Sequence, residues 1–288
     1  MAELTETDVG QELTWAVGEL VAAGVDTPRA DAELLMGHVT GFSRTQLITH
    51  SQLALSRAQA GHFRHLVDKR RERYPLPYLI GVWEFWGMQF EVNPSTLIPR
   101  PETEVLVEAC AEWLRGRPTV VVDIGTGSGA IAVAVAKEVP ESTVYATEIS
   151  PEAAHTAARN AEKHGVADRV EVLVGDLTEP LVGKGIEGCV DAIVSNPPYI
   201  ADEAGPALQP EVKQEPMSAT LAGPDPVVFY RRILAECRRF LKPGGRVLFE
   251  IDPGLLEPIV EIGRKSGFTF VELRKDLAGF ERVLVLEC

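Results

Sequence analysis

Hydrophobic residues in the first quarter of the chain recur with the period of an α-helix. One face of the first predicted helix carries an apolar stripe, formed by Leu13, Ala16, Val17, Leu20 and Val21. A second helix is predicted to begin at Pro28, because proline is tolerated in a first turn whose N–H groups have no partner. Its apolar residues are Ala32, Leu34, Leu35 and Val39. Ser43 and Ser56 predict the starts of two further helices, since their hydroxyls can accept from first-turn N–H groups. Residues 1–75 are therefore predicted to form a small helical bundle.

Residues 76–96 follow neither a helical nor a regularly alternating pattern. This stretch combines glycine and proline with the aromatic residues Tyr78, Trp83, Phe85, Trp86 and Phe90. Such a composition predicts a hairpin that links two domains, with its aromatic rings buried between them.

From residue 97 onwards, short apolar runs alternate with helical segments. Runs typical of buried strands occupy 119–124, 142–147, 169–174, 190–195, 246–251, 269–273 and 282–287. Residues 130–138 (AIAVAVAKE) predict a helix that follows the first strand after a short loop, and residues 242–245 (KPGG) predict a turn before the fifth strand. This alternation is typical of an α/β domain with a mostly parallel sheet and helices on both faces.

A glycine-rich loop joins the first of these strands to its helix. The loop is Gly125-Thr126-Gly127-Ser128-Gly129. Glycine allows a tight turn and a close approach of backbone to ligand, and the following helix presents free N–H groups there. Gly125, Gly127 and the alanine after Gly129 also satisfy the dinucleotide-binding pattern. The loop alone therefore leaves open a nucleotide site, another nucleoside cofactor, or a turn that binds nothing.

Acidic residues end the next two predicted strands. Glu148 lies 25 positions after Asp123, where a carboxylate can accept hydrogen bonds from ribose hydroxyls. Both NAD and S-adenosylmethionine carry such a ribose. Asp176 can accept from an adenine amino group, with Leu177 packing on the base, but a loop carboxylate that caps nearby N–H groups is an equal alternative.

The tetrapeptide Asn196-Pro197-Pro198-Tyr199 follows the fourth predicted strand. Two prolines cannot continue a central strand, so the chain must leave the sheet at Asn196. Ligands bind at this carboxyl edge of open α/β sheets. An amide side chain, backbone carbonyls and an aromatic ring can together hold a planar amide or amino group. The competing interpretation is an ordinary proline turn with a buried tyrosine.

The order of these motifs resembles a class I S-adenosylmethionine-dependent methyltransferase, and more closely the HemK/PrmC family. Further segments similar to that family are 77–81 with Phe85, Gly87 and Phe90; 97–104 (LIPRPETE); 215–216 with 221–225; and 230–233. The similarity covers about residue 65 to the end. Leu177 departs from those members that place an aromatic residue beside the adenine.

The resemblance implies a function and a set of site residues. It implies methylation of the side-chain amide of a glutamine in peptide chain release factors, with S-adenosylmethionine bound by residues 125–129, Glu148, Asp176, Leu177 and Asn196. It implies that the substrate amide contacts residues 196–199, and that Asn196, Pro197 and Tyr199 take part in catalysis. It also implies a final antiparallel strand and three parts: a substrate-recognition bundle (1–75), a linker hairpin (76–96) and a methyltransferase domain (97–288).

Asn196 Oδ1 and the Pro197 carbonyl are the expected acceptors for the two hydrogens of the substrate amide. Adenine amino methylation of DNA or RNA remains the alternative, because an exocyclic amine suits the same tetrapeptide. Arg100 is expected to serve the cofactor or substrate, or to pair with a nearby carboxylate.

Charge and cysteine content narrow the expected partners. The chain of 288 residues carries a net charge of -14, whereas sequence-independent nucleic-acid binding requires a basic face. Its short basic cluster, Lys69-Arg70-Arg71 with Arg73, leaves two interpretations open, a small basic contact face or the solvated end of a helix. The four cysteines show no metal or redox spacing, and neither a secretory signal nor a long apolar span is visible. We therefore expect a cytoplasmic monomer without a metal site, direct nucleic-acid binding or membrane association, whose partner is a release factor.

Overall fold

The computed structural model describes residues 7–288. They form two compact units. The first extends to Gly81 and also includes the distant segment Gln209–Gln214, whereas the second comprises Val82–Leu208 and Glu215–Cys288.

Between residues 7 and 81, the first unit contains five α-helices. They are α1 (Val9–Ala22), α2 (Pro28–Thr40), α3 (Arg44–Thr49), α4 (Arg57–Arg71) and α5 (Leu76–Ile80). Ser43 and Ser56 cap α3 and α4, as predicted, and the structure adds a reciprocal bond from a glutamine three residues later in each case. Leu13 and Leu35 lie in the core, but Val21 and Leu34, which were predicted to lie on the apolar stripes, are exposed. The buried stripes of α1 and α2 are therefore narrower than predicted.

Ion pairs connect the segment 209–214 to the helices of this unit. The Arg70 guanidinium is buried, with Nε 2.7 Å from Asp31 Oδ2 and Nη1 2.8 Å from Glu211 Oε1. Arg73 also binds Glu211, through Nε and Nη2. The interpretation of this cluster as a solvated helix end is therefore wrong for Arg70 and Arg73, because an acidic residue about 140 positions away covers them.

The second unit begins with a hairpin. Strands β1 (Val82–Phe85) and β2 (Met88–Glu91) pair antiparallel, and Phe85 and Phe90 lie in the core of this unit. Residues 76–80, predicted as part of the hairpin, instead form α5 in the first unit. Asn160 holds the hairpin: its amide accepts from Glu91 N (2.8 Å) and donates to Glu91 O (3.0 Å) and to Ser128 O (2.8 Å).

A seven-stranded sheet forms the centre of the second unit. Its strands are β3 (Thr119–Ile124), β4 (Ser142–Glu148), β5 (Val170–Val174), β6 (Val190–Ser195), β9 (Leu241–Glu250), β10 (Thr269–Lys275) and β11 (Glu281–Glu287). The short strands β7 (Ile200–Ala201) and β8 (Leu221–Gly223) pair separately. The helices are α6 (Glu104–Leu114), α7 (Ala130–Glu138), α8 (Pro151–Lys163), α9 (Met217–Thr220), α10 (Val228–Cys237) and α11 (Leu256–Lys265).

The sheet is mostly parallel, as predicted. Its strand order is β10-β11-β9-β6-β3-β4-β5, and β11 is antiparallel to both of its neighbours. Side chains alternate between two apolar clusters: Val121 belongs to the cluster that contains α7, and Val122 to the cluster that contains Ile233 of α10. Helices thus cover both faces, which leaves the strand ends as the places where a ligand can reach the backbone.

The prediction that residues 242–245 form a turn before the strand, and that the strand begins at residue 246, is wrong. Strand β9 runs from Leu241 to Glu250, and its pairing with β6 shifts from Val190↔Leu241 to Ala192↔Arg246. Gly244 adopts φ 73° within the resulting bulge. Since Leu241 pairs before the bulge and Arg246 after it, the turn-forming residues protrude from one continuous strand.

Within residues 7–288, the structure contains no helix long and apolar enough to cross a membrane.

Candidate active site

A cavity of about 200 Å³ lies at the carboxyl ends of β3, β4, β5 and β6. It is lined by Ser95, Leu97, Ile124, Gly125, Gly127, Thr147, Glu148, Ile149, Ser150, Ala153, Gly175, Asp176, Leu177, Ser195, Asn196, Pro197, Pro198, Pro216, Ser218, Ala219, Leu221, Phe229 and Ile233. Three separate sequence motifs therefore meet in one concave site: the glycine loop, the two acidic strand ends and the Asn-Pro-Pro turn.

The glycine loop leaves free space in the cavity next to its backbone. Gly125 and Gly127 have φ values of 74° and 57°, and a Cβ built on either would meet no atom within 4 Å. Glu148 sets the position of the loop, because its Oε2 accepts from Gly127 N at 2.9 Å while its Oε1 accepts from Ser150 N at 2.9 Å. Glu148 is 9 % exposed, and these two hydrogen bonds fix its carboxylate at the wall of the cavity.

The other loop residues predicted to bind cofactor point elsewhere. Thr126 is buried and its Oγ1 donates to Asp123 Oδ2 at 2.6 Å. Ser128 is also buried, with its carbonyl bound by Asn160. Gly129 packs so closely on α8 that an added Cβ would lie 3.0 Å from the Ala157 Cβ. These three residues shape the loop, whereas Gly125 and Gly127 line the cavity.

Asp123 is a buried acid beneath the loop, and no sequence motif assigns it to the site. Burial raises the pKa of Asp123 to about 7, although hydrogen bonds from Thr126 Oγ1 and Ala132 N favour the charged form. Its Oδ1 has no hydrogen-bond partner among the described residues.

Asp176 and Leu177 line the far side of the cavity. Asp176 Oδ2 accepts from Arg232 Nη2 at 2.6 Å, so an ion pair orients this carboxylate. Leu177 adopts φ 47°, an uncommon conformation for a leucine. The geometry therefore places an apolar side chain next to an oriented acceptor.

Asn196, Pro197 and Pro198 line the opposite wall. The side-chain amide of Asn196 donates through Nδ2 to Thr103 Oγ1 at 3.3 Å. Tyr199 lies outside the lining and packs against the apolar cluster on one face of the sheet. Burial, with the carboxylates of Glu250 and Asp252, raises the pKa of Tyr199 to about 12, so its hydroxyl remains protonated at neutral pH.

Arg100 pairs with Glu215, one of the two alternatives left open by the sequence. Glu215 is buried and its Oε2 also accepts from Ile98 N at 3.2 Å. This contact ties the end of the loop that follows β7 to the segment before α6. Arg100 itself does not line the cavity.

Several cavity residues had not been assigned to the site from the sequence. Leu97 and Pro216 lie in the segments that carried the family resemblance. Phe229 and Ile233 are four residues apart on α10, a spacing that places them on one helical face. Their spacing on α10 is a sequence signal for this pair, whereas no local signal marks Ser218 or Ala219.

The lining suits a nucleoside-containing cofactor. Open space above Gly125 and Gly127 accommodates a ligand close to the backbone, the Glu148 carboxylate can accept from ribose hydroxyls, and Asp176 with Leu177 can bind a base. The neighbouring Asn-Pro-Pro turn adds an amide and backbone carbonyls for a second, planar group.

Two protein-family models match the chain. The PrmC N-terminal domain matches residues 11–81, and the methyltransferase small domain matches residues 101–215. Among solved structures, a methyltransferase from Pyrococcus furiosus has a TM-score of 0.52 at 24% identity, covering 81% of this chain and 98% of that one. The hMettl16 catalytic domain in complex with an RNA hairpin has a TM-score of 0.57 at 18% identity, covering 81% and 80%. These two structures show the class I methyltransferase fold.

Full-length relatives are more similar. The release factor glutamine methyltransferase of Moorella thermoacetica is 41% identical over 94% of this chain and 95% of its own length. The enzyme of the same name from Salmonella typhimurium is 38% identical over 90% of this chain and 91% of its own length. With this identity across both units and the site described above, the chain belongs to the release factor glutamine methyltransferase family.

Proposed function

We propose that this protein transfers a methyl group from S-adenosylmethionine to the side-chain amide nitrogen of a glutamine in a peptide chain release factor. The names of the relatives support this substrate. The observation that carries the proposal is the position of Asn196 and Pro197 in the wall of the cavity that the glycine loop and Glu148 also line.

The residues assigned to the cofactor are those of the glycine loop and the two acidic strand ends. Gly125 and Gly127 give backbone access, and Glu148 accepts from the ribose hydroxyls. Asp176 and Leu177 bind the base. Thr126, Ser128 and Gly129 support the loop from beneath. When bound, S-adenosylmethionine supplies a methyl group that its sulfonium charge makes electrophilic.

An amide nitrogen is a weak nucleophile because its lone pair is shared with the carbonyl group. Asn196 Oδ1 and the Pro197 carbonyl accept the two hydrogens of the substrate amide, which fixes the nitrogen towards the methyl donor. Acceptors placed in this way stabilise the electron-rich, pyramidal nitrogen of the transition state more than the planar ground state. Pro198 contacts the substrate beside them. The product loses its additional proton readily, so no strong base is needed before transfer.

Tyr199 has a supporting part in this arrangement. Because its ring packs on the core cluster outside the cavity lining, we assign it to holding the Pro197–Pro198 turn rather than to proton transfer. The raised pKa of Tyr199, caused by burial and two nearby carboxylates, agrees with a hydroxyl that does not ionise during turnover.

The helical unit is assigned to recognition of the release factor. Its described residues carry no part of the cavity lining. Adenine amino methylation is the less favoured alternative, since the net charge of -14 opposes binding to a polyanion.

A methylation assay tests the proposal. Purified protein and labelled S-adenosylmethionine are incubated with release factor, with release factor whose target glutamine is replaced by alanine, or with single-stranded DNA and RNA. We expect label only on intact release factor, located on glutamine by mass spectrometry. Asn196→Ala should lower the transfer rate by about a hundredfold or more, the scale for losing an oriented polar contact at a reacting centre. Label on nucleic acid and none on release factor would contradict the proposal.

A further inference from the structure

Asp176 belongs to two cavities. It lines the active-site cavity and also a second cavity of about 410 Å³, whose other residues include Thr178, Arg232 and Glu236. None of these three lines the active-site cavity. The Asp176 carboxylate therefore stands between the proposed cofactor site and a group of polar side chains to which the proposed reaction gives no part.

Arg232 binds the Asp176 carboxylate from the side of the second cavity. Its Nη2 donates to Asp176 Oδ2 at 2.6 Å. This contact engages one carboxylate oxygen, which leaves Oδ1 to accept from a ligand in the active-site cavity. Because the guanidinium is a rigid fork of donors, it restricts how far the carboxylate can turn.

A second contact joins the same loop to α10. Thr178 Oγ1 donates to Glu236 Oε2 at 2.8 Å. Glu236 lies one helical turn after Arg232, and its Oε1 is 4.0 Å from Arg232 Nη2. Leu177, with φ 47°, lies between the two residues that α10 holds. A left-handed backbone costs energy in a leucine and persists only where its surroundings hold it, and the contacts on both sides of Leu177 supply that support.

A fixed carboxylate at this position favours one kind of purine. An ionised carboxylate can only accept hydrogen bonds, and the six-position of adenine carries an amino group with two hydrogens. Hypoxanthine has a carbonyl oxygen at the same position, so an acceptor would face the carboxylate. A carboxylate that is free to turn would avoid this oxygen, whereas one held by Arg232 would not. The selectivity therefore depends on what restrains Asp176.

We propose that Arg232 is a positioning residue that holds Asp176 for recognition of a 6-amino purine, and that it thereby makes the cofactor site select adenine against hypoxanthine. The inference rests on the cofactor assignment in the proposed function. Since this selectivity is a property of binding, it can be measured without release factor.

Isothermal titration calorimetry with S-adenosylhomocysteine and S-inosylhomocysteine measures the selectivity as a ratio of two Kd values. The first ligand contains adenine and the second contains hypoxanthine. Wild type should bind the adenine ligand about 10- to 150-fold more tightly, the scale for a hydrogen bond to a charged group. Arg232→Ala should lower this ratio by about two- to fivefold, the scale of a partly exposed ion pair. Arg232→Lys, which keeps the charge, should recover part of the ratio.

Arg231→Ala is the matched control. Arg231 is the neighbouring arginine of α10 and pairs with Asp225 instead. Its replacement removes the same charge and should leave the ratio unchanged. An Arg232→Ala ratio equal to the wild-type ratio would overturn the proposal, even if both ligands bind more weakly, because general loosening of the loop does not distinguish the two bases. Thermal unfolding confirms that each variant is folded.

A double-mutant cycle with Asp176→Asn tests whether Arg232 acts through Asp176. An asparagine amide can present either its oxygen or its NH2 group, so Asp176→Asn should bind the two ligands within about threefold of each other. In that background, Arg232→Ala should have no further effect on the ratio. An equal change of the ratio in both backgrounds would show that Arg232 acts by another route, and would overturn the proposal.

The outcomes for base selectivity and for the proposed substrate are independent. A wild-type protein that binds both ligands equally would overturn the role of Arg232, even if it methylates release factor. Conversely, selectivity that depends on Arg232 in a protein that leaves release factor unlabelled would support the positioning role and refute the proposed substrate.

Discussion

Glu148→Gln is a stringent test of cofactor binding, because it keeps the size of the side chain and changes its hydrogen-bonding capacity. The two carboxylate oxygens accept from different backbone donors, Gly127 N and Ser150 N, each at 2.9 Å. A glutamine has one oxygen and one NH2 group at these positions. One of the two N–H groups must therefore face another donor.

The Glu148→Gln substitution should have two separate costs, one in the free energy of unfolding and one in the free energy of cofactor binding. A buried N–H group without an acceptor costs about 1–3 kcal/mol, and this loss should lower the free energy of unfolding of the cofactor-free protein. Loss of the charged acceptor for a ribose hydroxyl should weaken cofactor binding by about 1.5–3 kcal/mol. This range corresponds to an increase in Kd of roughly 10- to 150-fold.

Isothermal titration calorimetry with S-adenosylmethionine measures the Kd. Unfolding in urea separately measures the free energy of unfolding. Glu141→Gln is the matched control, since Glu141 is exposed and immediately precedes the same strand at its other end. The control should leave both quantities nearly unchanged. An unaltered Kd for a folded Glu148→Gln protein would refute the assignment of Glu148 to the ribose.

Three further changes test packing, ion pairing and a buried acid elsewhere in the fold. Gly129→Ala should lower the thermal unfolding temperature by more than Gly116→Ala. Both glycines have φ near 82°, but a Cβ at Gly129 would lie 3.0 Å from the Ala157 Cβ, whereas a Cβ at Gly116 would meet no atom within 4 Å. Equal losses would contradict this packing. Glu211→Ala should lower the free energy of unfolding by about 1.5–3 kcal/mol in urea, since it removes a charged acceptor from two arginines, and an unchanged midpoint would count against the network. Burial raises the pKa of Asp123 from 3.8 to about 7. Between these pH values the folded protein binds more protons than the unfolded chain, so its free energy of unfolding should decline as pH rises from about 4 to about 7. Asp123→Asn should flatten that decline, and an unchanged slope would show that another group titrates.

Local sequence was sufficient to predict those elements for which a single local pattern indicated one structure. Residues 119–124 and 190–195 are mostly apolar runs without glycine or proline, and both form strands with the predicted bounds. Ser43 and Ser56 act as helix caps because the required partner is three residues away. The glycine loop and the Asn-Pro-Pro turn meet in one cavity because both follow parallel strands of the same sheet.

Long-range contacts explain what local patterns did not predict. The KPGG segment has the composition of a turn, yet β9 pairs with β6 on both sides of it. Arg70 lies in a basic cluster that looks solvated in sequence, but Glu211 and Asp31 bury it. Tyr199 directly follows the cavity-lining prolines, while its ring packs on the core. In each case the deciding partner is remote in sequence and leaves no periodic signal.

The discontinuity of the first unit has a consequence for the order in which the protein can fold during synthesis. Arg70 is separated from Glu211 by 141 positions, which corresponds to roughly 7–28 s of elongation at typical rates. Strands β3 to β6 are made within that interval. Helices α1 to α5 therefore emerge before Glu211 and acquire this acidic partner only after much of the sheet has been translated. Until then, Asp31 is the acid paired with the buried Arg70 guanidinium, and the nascent helical unit should be more readily cleaved by proteases than the same helices in the finished chain.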